Sequence, residues 1–250
     1  KYGRARCQLE LVNTDSSLLV RADSGVFFSR SREVYLTDHP HLIQFASTDT
    51  MVLLADTLYV LDDSTANKRL LRATGRCRIH LRQLQARADS ILYNRVDSTL
   101  HLFKDPIVWS GQNQLTGDTI RVWLVNQAAD SLVAQGRAWV IARNDSFFDD
   151  QVKGRLLRAQ FKDNTMLRLY VDGNSESLYL VKEDGKGIGL NESQSNALRV
   201  FLLDNEPQRL LFIEEPEARF RPLHEVWGQR IELEGYRWRL SERPRDYLGP

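Results

Sequence analysis

Ala88-Asp89-Ser90-Ile91-Leu92-Tyr93-Asn94 sets a small residue before Asp and a hydroxyl residue, then continues into a β-branched and aromatic stretch. The same opening returns at Ala22-Asp23-Ser24, Ala55-Asp56-Thr57 and Gly117-Asp118-Thr119, and the four starts lie 33, 33 and 29 residues apart. A second set marks the far end of each unit: Asp63-Ser64, Asp97-Ser98 and Asp130-Ser131, spaced 34 and 33 apart. A period near 33 residues predicts a repeat architecture. Such an array offers an extended surface more readily than one unique pocket.

Proline and glycine supply further punctuation. Gly3, Pro40, Gly75, Pro106, Gly136 and Gly173 lie between short alternating runs, 37, 35, 31, 30 and 37 residues apart. Leu70-Leu71-Arg72-Ala73-Thr74-Gly75-Arg76-Cys77-Arg78-Ile79-His80 shows the style, a strand, a break and a second strand. Alternating strands bounded by Gly, Pro, Asn and Asp predict an antiparallel all-β fold with very little helix. Asp62-Asp63-Ser64-Thr65-Ala66-Asn67 and Asn94-Arg95-Val96-Asp97-Ser98 read as turns, because Asp and Asn bond to nearby backbone amides. The array is expected over residues 1–215, with two stacked halves allowed but no clear boundary. An Arg- and Trp-rich segment, 216–250, is expected to close or flank it.

Apolar residues make up 42% of the 250-residue chain, enough for a core. Lys and Arg number 34 against 33 Asp and Glu, so the net charge of +1 gives no reason to invoke nucleic acid. No apolar run reaches the roughly 18 residues of a membrane-spanning helix. The sequence starts without Met and without a signal-peptide pattern, as a mature fragment beginning inside the array would. Cys7 and Cys77 are the two cysteines, and neither has metal-ligand spacing. A disulfide between them and two free thiols are both open.

If each repeat Asp faces water, its odd-offset neighbours point inward. That set comprises Val20, Ala22 and Val26; Leu53, Ala55 and Tyr59; Ala86, Ala88 and Leu92; and Leu115 and Gly117. Leu58, Ile91 and Ile120, two residues after each Asp, would then share the outer face unless the strand bends there.

Asn113-Gln114-Leu115-Thr116-Gly117-Asp118-Thr119-Ile120 and the preceding Ala-Asp-Ser strands resemble the repeats of OstA-like proteins, the LptA-type periplasmic lipopolysaccharide-transport family. Asp105-Pro106-Ile107-Val108-Trp109, Gly173-Asn174-Ser175-Glu176-Ser177-Leu178-Tyr179 and Gly235-Tyr236-Arg237-Trp238-Arg239 are similar to its Bacteroidota branch, and the likeness covers most of residues 1–245. The resemblance implies a half-open antiparallel β-jellyroll, folded like a taco around an apolar groove, in a periplasmic protein without catalytic residues or cofactor. Lipopolysaccharide or a related lipid would be the cargo. Other jellyroll transport proteins, or further copies of the chain, would join end to end by strand addition. The chain has room for about twice the strands of the short bridge protein, so a longer, fused version is also open. The inward set above would line the groove, its small residues leaving room for acyl tails, which gain about 0.8 kcal/mol per buried methylene. Close packing of two sheets would explain the same small residues.

Arg237 and Arg239, in a basic aromatic tail, are candidates for anionic head-group contact, since Arg pairs well with phosphate. A tail whose aromatics simply cover the last strands is the plainer alternative. No zinc or calcium ligand series appears, and Gly185-Lys186-Gly187-Ile188-Gly189 reads as a hairpin turn rather than a phosphate loop. Gly-x-Ser-x-Gly is absent. The alternative function is a structural or adhesive β-repeat protein with a filled core that binds polysaccharide or protein on its surface. An open apolar interior favours transport, a packed one favours the alternative, and inward carboxylates in a polar cleft would favour a carbohydrate-active enzyme.

Overall fold

A computed structural model describes residues 1–13, 17–45, 50–63, 68–82, 84–126, 128–143, 148–162, 165–203 and 206–245. The strands are β1 (Tyr2–Asn13), β2 (Leu18–Phe28), β3 (Glu33–Thr37), β4 (His41–Phe45), β5 (Thr50–Leu54) and β6 (Thr57–Asp63). They continue as β7 (Lys68–His80), β8 (Leu84–Asn94), β9 (Thr99–Phe103), β10 (Ile107–Ser110), β11 (Asn113–Thr116) and β12 (Thr119–Val125). The last are β13 (Ala128–Ala142), β14 (Asp150–Lys162), β15 (Thr165–Glu183), β16 (Lys186–Leu203), β17 (Glu206–Ile213) and β18 (Glu217–Pro222). Helix among the described residues is limited to the single turn α1 (Leu223–Val226) and a 3-10 turn at Leu240–Glu242. All eighteen strands join one antiparallel hydrogen-bonded network.

That network is folded in two along a spine. In β7, Lys68–Thr74 pairs with β6, while Arg78–His80 pairs with β5. The register slips between Thr74 and Cys77, where Gly75 and Arg76 both take left-handed angles of 77° and 46°. The strand is therefore continuous, and the expected break at Gly75 is a corner between two sheets. Gly136-Arg137 in β13 and Gly173-Asn174 in β15 make the same corner, again with both φ values positive. Asp38-His39 before Pro40 and Lys104-Asp105 before Pro106 carry the spine between short strands. Gly3 does not. In β1 the bend falls at Cys7-Gln8.

The Asp-Ser beat marks this spine. The backbone N–H of Asp56 reaches the carbonyls of Thr74 and Gly75, and that of Asp118 reaches those of Gln135 and Gly136. Their carboxylates accept bonds from the corner arginines: Arg76 lies 2.7 Å from Asp56, and Arg137 2.7 Å from Asp118. Asp89 pairs with Lys104 at 3.1 Å. These pairs are water-exposed and individually weak. They complete a corner that the backbone already dictates.

One face of each sheet meets the other across the core. In the first sheet a register row runs Leu36, Leu58, Ala73, Ile91, Leu102, Ile120, Ala134, Leu157, Val171 and Leu198. All of them are buried. Leu42, Leu53, Ile79, Ala86, Val108 and Leu115 oppose them from the second sheet. Burying each large side chain contributes about 1.5–3 kcal/mol, so the face-to-face stack is the main stabilising feature. The phase expected from the Asp positions holds only before the corner. Beyond it the strand bends, Leu58, Ile91 and Ile120 turn inward, and Val26, Tyr59 and Leu92 lie on the opposite face. Tyr59 shows this directly: its ring packs 4.8 Å from Tyr35 and its hydroxyl donates to Glu33.

Cys7 and Cys77 are free thiols. The path from β1 to β7 passes through β2, β4 and β5, about 19 Å at normal strand spacing. A disulfide tolerates about 7 Å between Cα atoms.

The sheet continues past residue 215, because β18 pairs with β16. The closing segment starts at Leu223 and runs over the outer face of the second sheet. There Val226 and Leu233 cover Phe148, Leu178 and Leu190 in a second small core. Gln114 receives the Arg239 amide on its Oε1 and donates its Nε2 to the Arg237 carbonyl. Gln151 accepts from the Leu233 amide. The turn residues 64–67 lie outside the described residues.

Candidate functional site

Ala22, Ala88 and Gly117 sit where the two sheets converge at the spine. A Cβ on Gly117 would lie 3.2 Å from the Gln135 carbonyl and 3.3 Å from the Ala134 Cβ. Their smallness thus serves the close approach of the sheets. Val20, Leu53, Ala86 and Leu115 belong to the filled core, and Ala55 packs half-buried at its corner. Among the described residues, Val20, Ala22, Leu53, Ala86, Ala88 and Leu115 pack into one buried cluster with the side chains of the facing sheet.

Space opens further along. Away from the spine, between β13 and β17, the sheets enclose a slot of about 380 Å³. Phe161, Met166, Leu169, Val200 and Leu202 form its wall on the first sheet, and Val140, Val152 and Ser177 face them from the second. The cause is a change of side-chain size along one register row. Leu42, Leu53 and Ile79 give way to Val140, Val152, Ser177 and Ser193. Ser177 and Ser193 bond to each other at 2.7 Å, and Ser175 to Ser195 at 2.8 Å. Their polarity is satisfied within the wall, so the space they leave stays apolar.

Polar groups gather at the rim: Asn113, Arg143, Asp150, Tyr179 and Glu206. Asp150 accepts the Leu180 amide, and Arg143 lies over the Trp238 ring at 5.1 Å. Burial, with Asp150 beside it, raises the Tyr179 phenol above its usual pKa, so it stays a neutral hydrogen-bonding group. An apolar slot with a polar rim, at the lower end of the roughly 300–1,000 Å³ of ligand pockets, suits a hydrocarbon chain with a polar head.

None of the groove residues expected from the sequence lines this slot. The signal for it was present in Ser175-Glu176-Ser177 and Ser193-Gln194-Ser195, whose alternate serines thin one wall. Arg239 is also placed differently from expectation. Asp105 and Glu242 both accept its guanidinium hydrogen bonds, which serves attachment of the closing segment rather than an anionic ligand. Arg237 is exposed on that segment.

Residues 19–128 match the family model described as LptA/(LptD N-terminal domain) LPS transport protein. Over that stretch the chain is similar to the lipopolysaccharide-transport family. The matched stretch runs from β2 to the first residue of β13, most of the filled part of the array. No curated protein matches the sequence. Among solved structures, the chain is similar to LptH, the LptA-homologous periplasmic component of the lipopolysaccharide transport device from Pseudomonas aeruginosa. The identity is 12%, the coverage 56% of this chain and 95% of that one, and the TM-score 0.45. The matched model describes transport proteins, and the chain's own fold is an antiparallel β network folded in two along its spine.

Proposed function

We propose that this protein is OstA-like, a non-catalytic periplasmic scaffold of lipopolysaccharide transport that shields a lipid acyl chain in the slot between β13 and β17. The observation that carries the reading is the thinned wall at Ser177, whose hydroxyl is satisfied by Ser193, facing Phe161, Leu169 and Val200. A chain entering there leaves its head at the charged rim and gains about 0.8 kcal/mol per buried methylene. The two sheets are tied along the spine, while their backbone pairings stay within each sheet on either side of it. Parting them to admit a tail therefore breaks packing but no ladder hydrogen bond. Among the described residues β17 and β18 each pair in register with β16 alone, and their other edges suit strand addition by a further jellyroll unit.

A second reading has its own observation. The interior from β2 to β12 is filled, as a structural β-repeat protein requires. Photocrosslinking in a lipopolysaccharide-producing host separates the two. A photoreactive residue at Phe161 or Leu169 should capture lipid, and one at Ala88 should not. Capture from neither slot position, with no lipid released from the native protein in mass spectrometry, would leave the structural reading standing.

A further inference from the structure

Strands β14, β15 and β16 serve two surfaces. Phe161, Leu169 and Val200 face the slot, while their sequence neighbours Gln160, Tyr170 and Arg199 face outward into a separate cleft of about 760 Å³. Trp123 on β12 and Tyr170 on β15 form its opposite walls. With β13 and β14 between them, the walls stand about 14 Å apart at normal strand spacing. Between them β13 supplies Asp130, Ser131, Leu132 and Val133 to the lining, with Ser131 in register with Gln160 and Val133 with Arg158. Arg121 lies 5.5 Å from the Trp123 ring centre and Arg199 5.2 Å from that of Tyr170, so a guanidinium packs against each ring.

Charge narrows the ligand. Arg158 and Arg199 both bond to Asp172, at 2.5 and 2.6 Å, so their charge is already answered. Asp97 and Asp130 add carboxylates to the lining. An anion would find no surplus of positive charge. Two aromatic faces flanking a hydroxyl, an amide and carboxylates instead match a ligand with apolar C–H faces and many hydroxyls. We propose that this outer cleft binds a neutral oligosaccharide, with Trp123 and Tyr170 as stacking platforms and Gln160, Ser131 and Asp130 as hydrogen-bonding groups. The site is distinct from the acyl slot and stands whether or not the slot carries lipid.

The test titrates the protein with a neutral, lipid-free glucan oligosaccharide such as maltoheptaose, followed through the indole N–H resonances. Saturable shifts are expected for the native chain. Trp123→Ala and Tyr170→Ala should each weaken binding about tenfold, and Trp123→Phe should restore most of it. Gln160→Ala, at an exposed position, tests the same cleft if removal of either ring disturbs folding, and should weaken binding several-fold. Leu169→Trp, which fills the slot behind, should abolish lipid crosslinking and leave oligosaccharide binding unchanged. Absence of saturable binding, insensitivity to all the cleft variants, or binding of inorganic phosphate in preference to the sugar would each overturn the assignment.

Discussion

Arg239 and Asp105 meet through two parallel hydrogen bonds, Nη1 to Oδ1 and Nη2 to Oδ2, each 2.7 Å long. The pair ties the closing segment to the spine bend between β9 and β10. Glu242 accepts from the same guanidinium, and Arg87 hydrogen-bonds to Asp105 and lies 3.1 Å from Glu242 as an ion pair. A segment with little regular structure is thus fixed by charge at a point where its own backbone supplies few bonds.

Replacing Arg239 with Ala removes the centre of this cluster and leaves Asp105 and Glu242 facing only Arg87. Asp105 is 61% exposed, so water screens its share; the guanidinium, 20% exposed, is the costlier loss. The expected destabilisation is about 1–2 kcal/mol, read from the urea midpoint. Proteolysis should begin within 223–245 while the jellyroll remains intact. An unchanged midpoint and unchanged cleavage would show that the small core under Val226 and Leu233 holds the segment alone.

The same cluster makes the segment acid-sensitive. Hydrogen bonds from Arg239 hold both Asp105 and Glu242 below their ordinary pKa values of 3.8 and 4.5. A depressed folded pKa gives stability that is present above the unfolded value and lost as pH falls through the folded one. Attachment should therefore be complete near neutrality and weaken below about pH 4. Trp238 fluorescence would follow the release, and Asp105→Asn should flatten the profile. A profile identical in that variant would place the acid response elsewhere.

Gly75 and Gly136 hold the two corners at φ of 77° and 68°. A Cβ at either position would collide with the carboxylate of Asp56 or Asp118. Gly75→Ala or Gly136→Ala should cost about 1–3 kcal/mol, from left-handed strain and the displaced Asp. Thermal melting measures it. Gly111, also left-handed but with nothing within 4 Å of an added Cβ, should lose less, and equal losses at all three would assign the effect to backbone strain alone.

Thiol chemistry separates the cysteines. Burial, reinforced by Asp89 and Asp56, pushes the Cys77 thiol up to about 12, whereas Cys7 is exposed. One thiol per native chain should react with a disulfide reagent at neutral pH, and the second only after denaturation. Rapid labelling of both in the native protein would mean that the spine opens readily around Cys77.

The sequence carried the array itself. The 33-residue Asp beat and the Gly and Pro breaks locate the corners, because an Asp side chain and a left-handed residue are local requirements that a short window can display. Alternation then made the chain all-β. The inward phase was legible only up to each Asp. Beyond it the corner adds a residue, and Leu58 rather than Tyr59 enters the core. The family likeness likewise rested on local strings such as Asn113–Ile120, while the disulfide question needed the order of strands across the sheet.

What the sequence by itself determined, then, is where the chain bends and which residue types alternate, since both follow from dihedral preference and strand period. Only the tertiary structure decided where the interior is hollow. Small residues near Asp proved to pack at the corners, and the small residue Ser177 lines a slot. Identical smallness has opposite consequences because Gly117 meets the backbone of Gln135 at a corner, whereas Ser177 lies beyond the corner at Gly173-Asn174, opposite side chains from strands far apart in the chain.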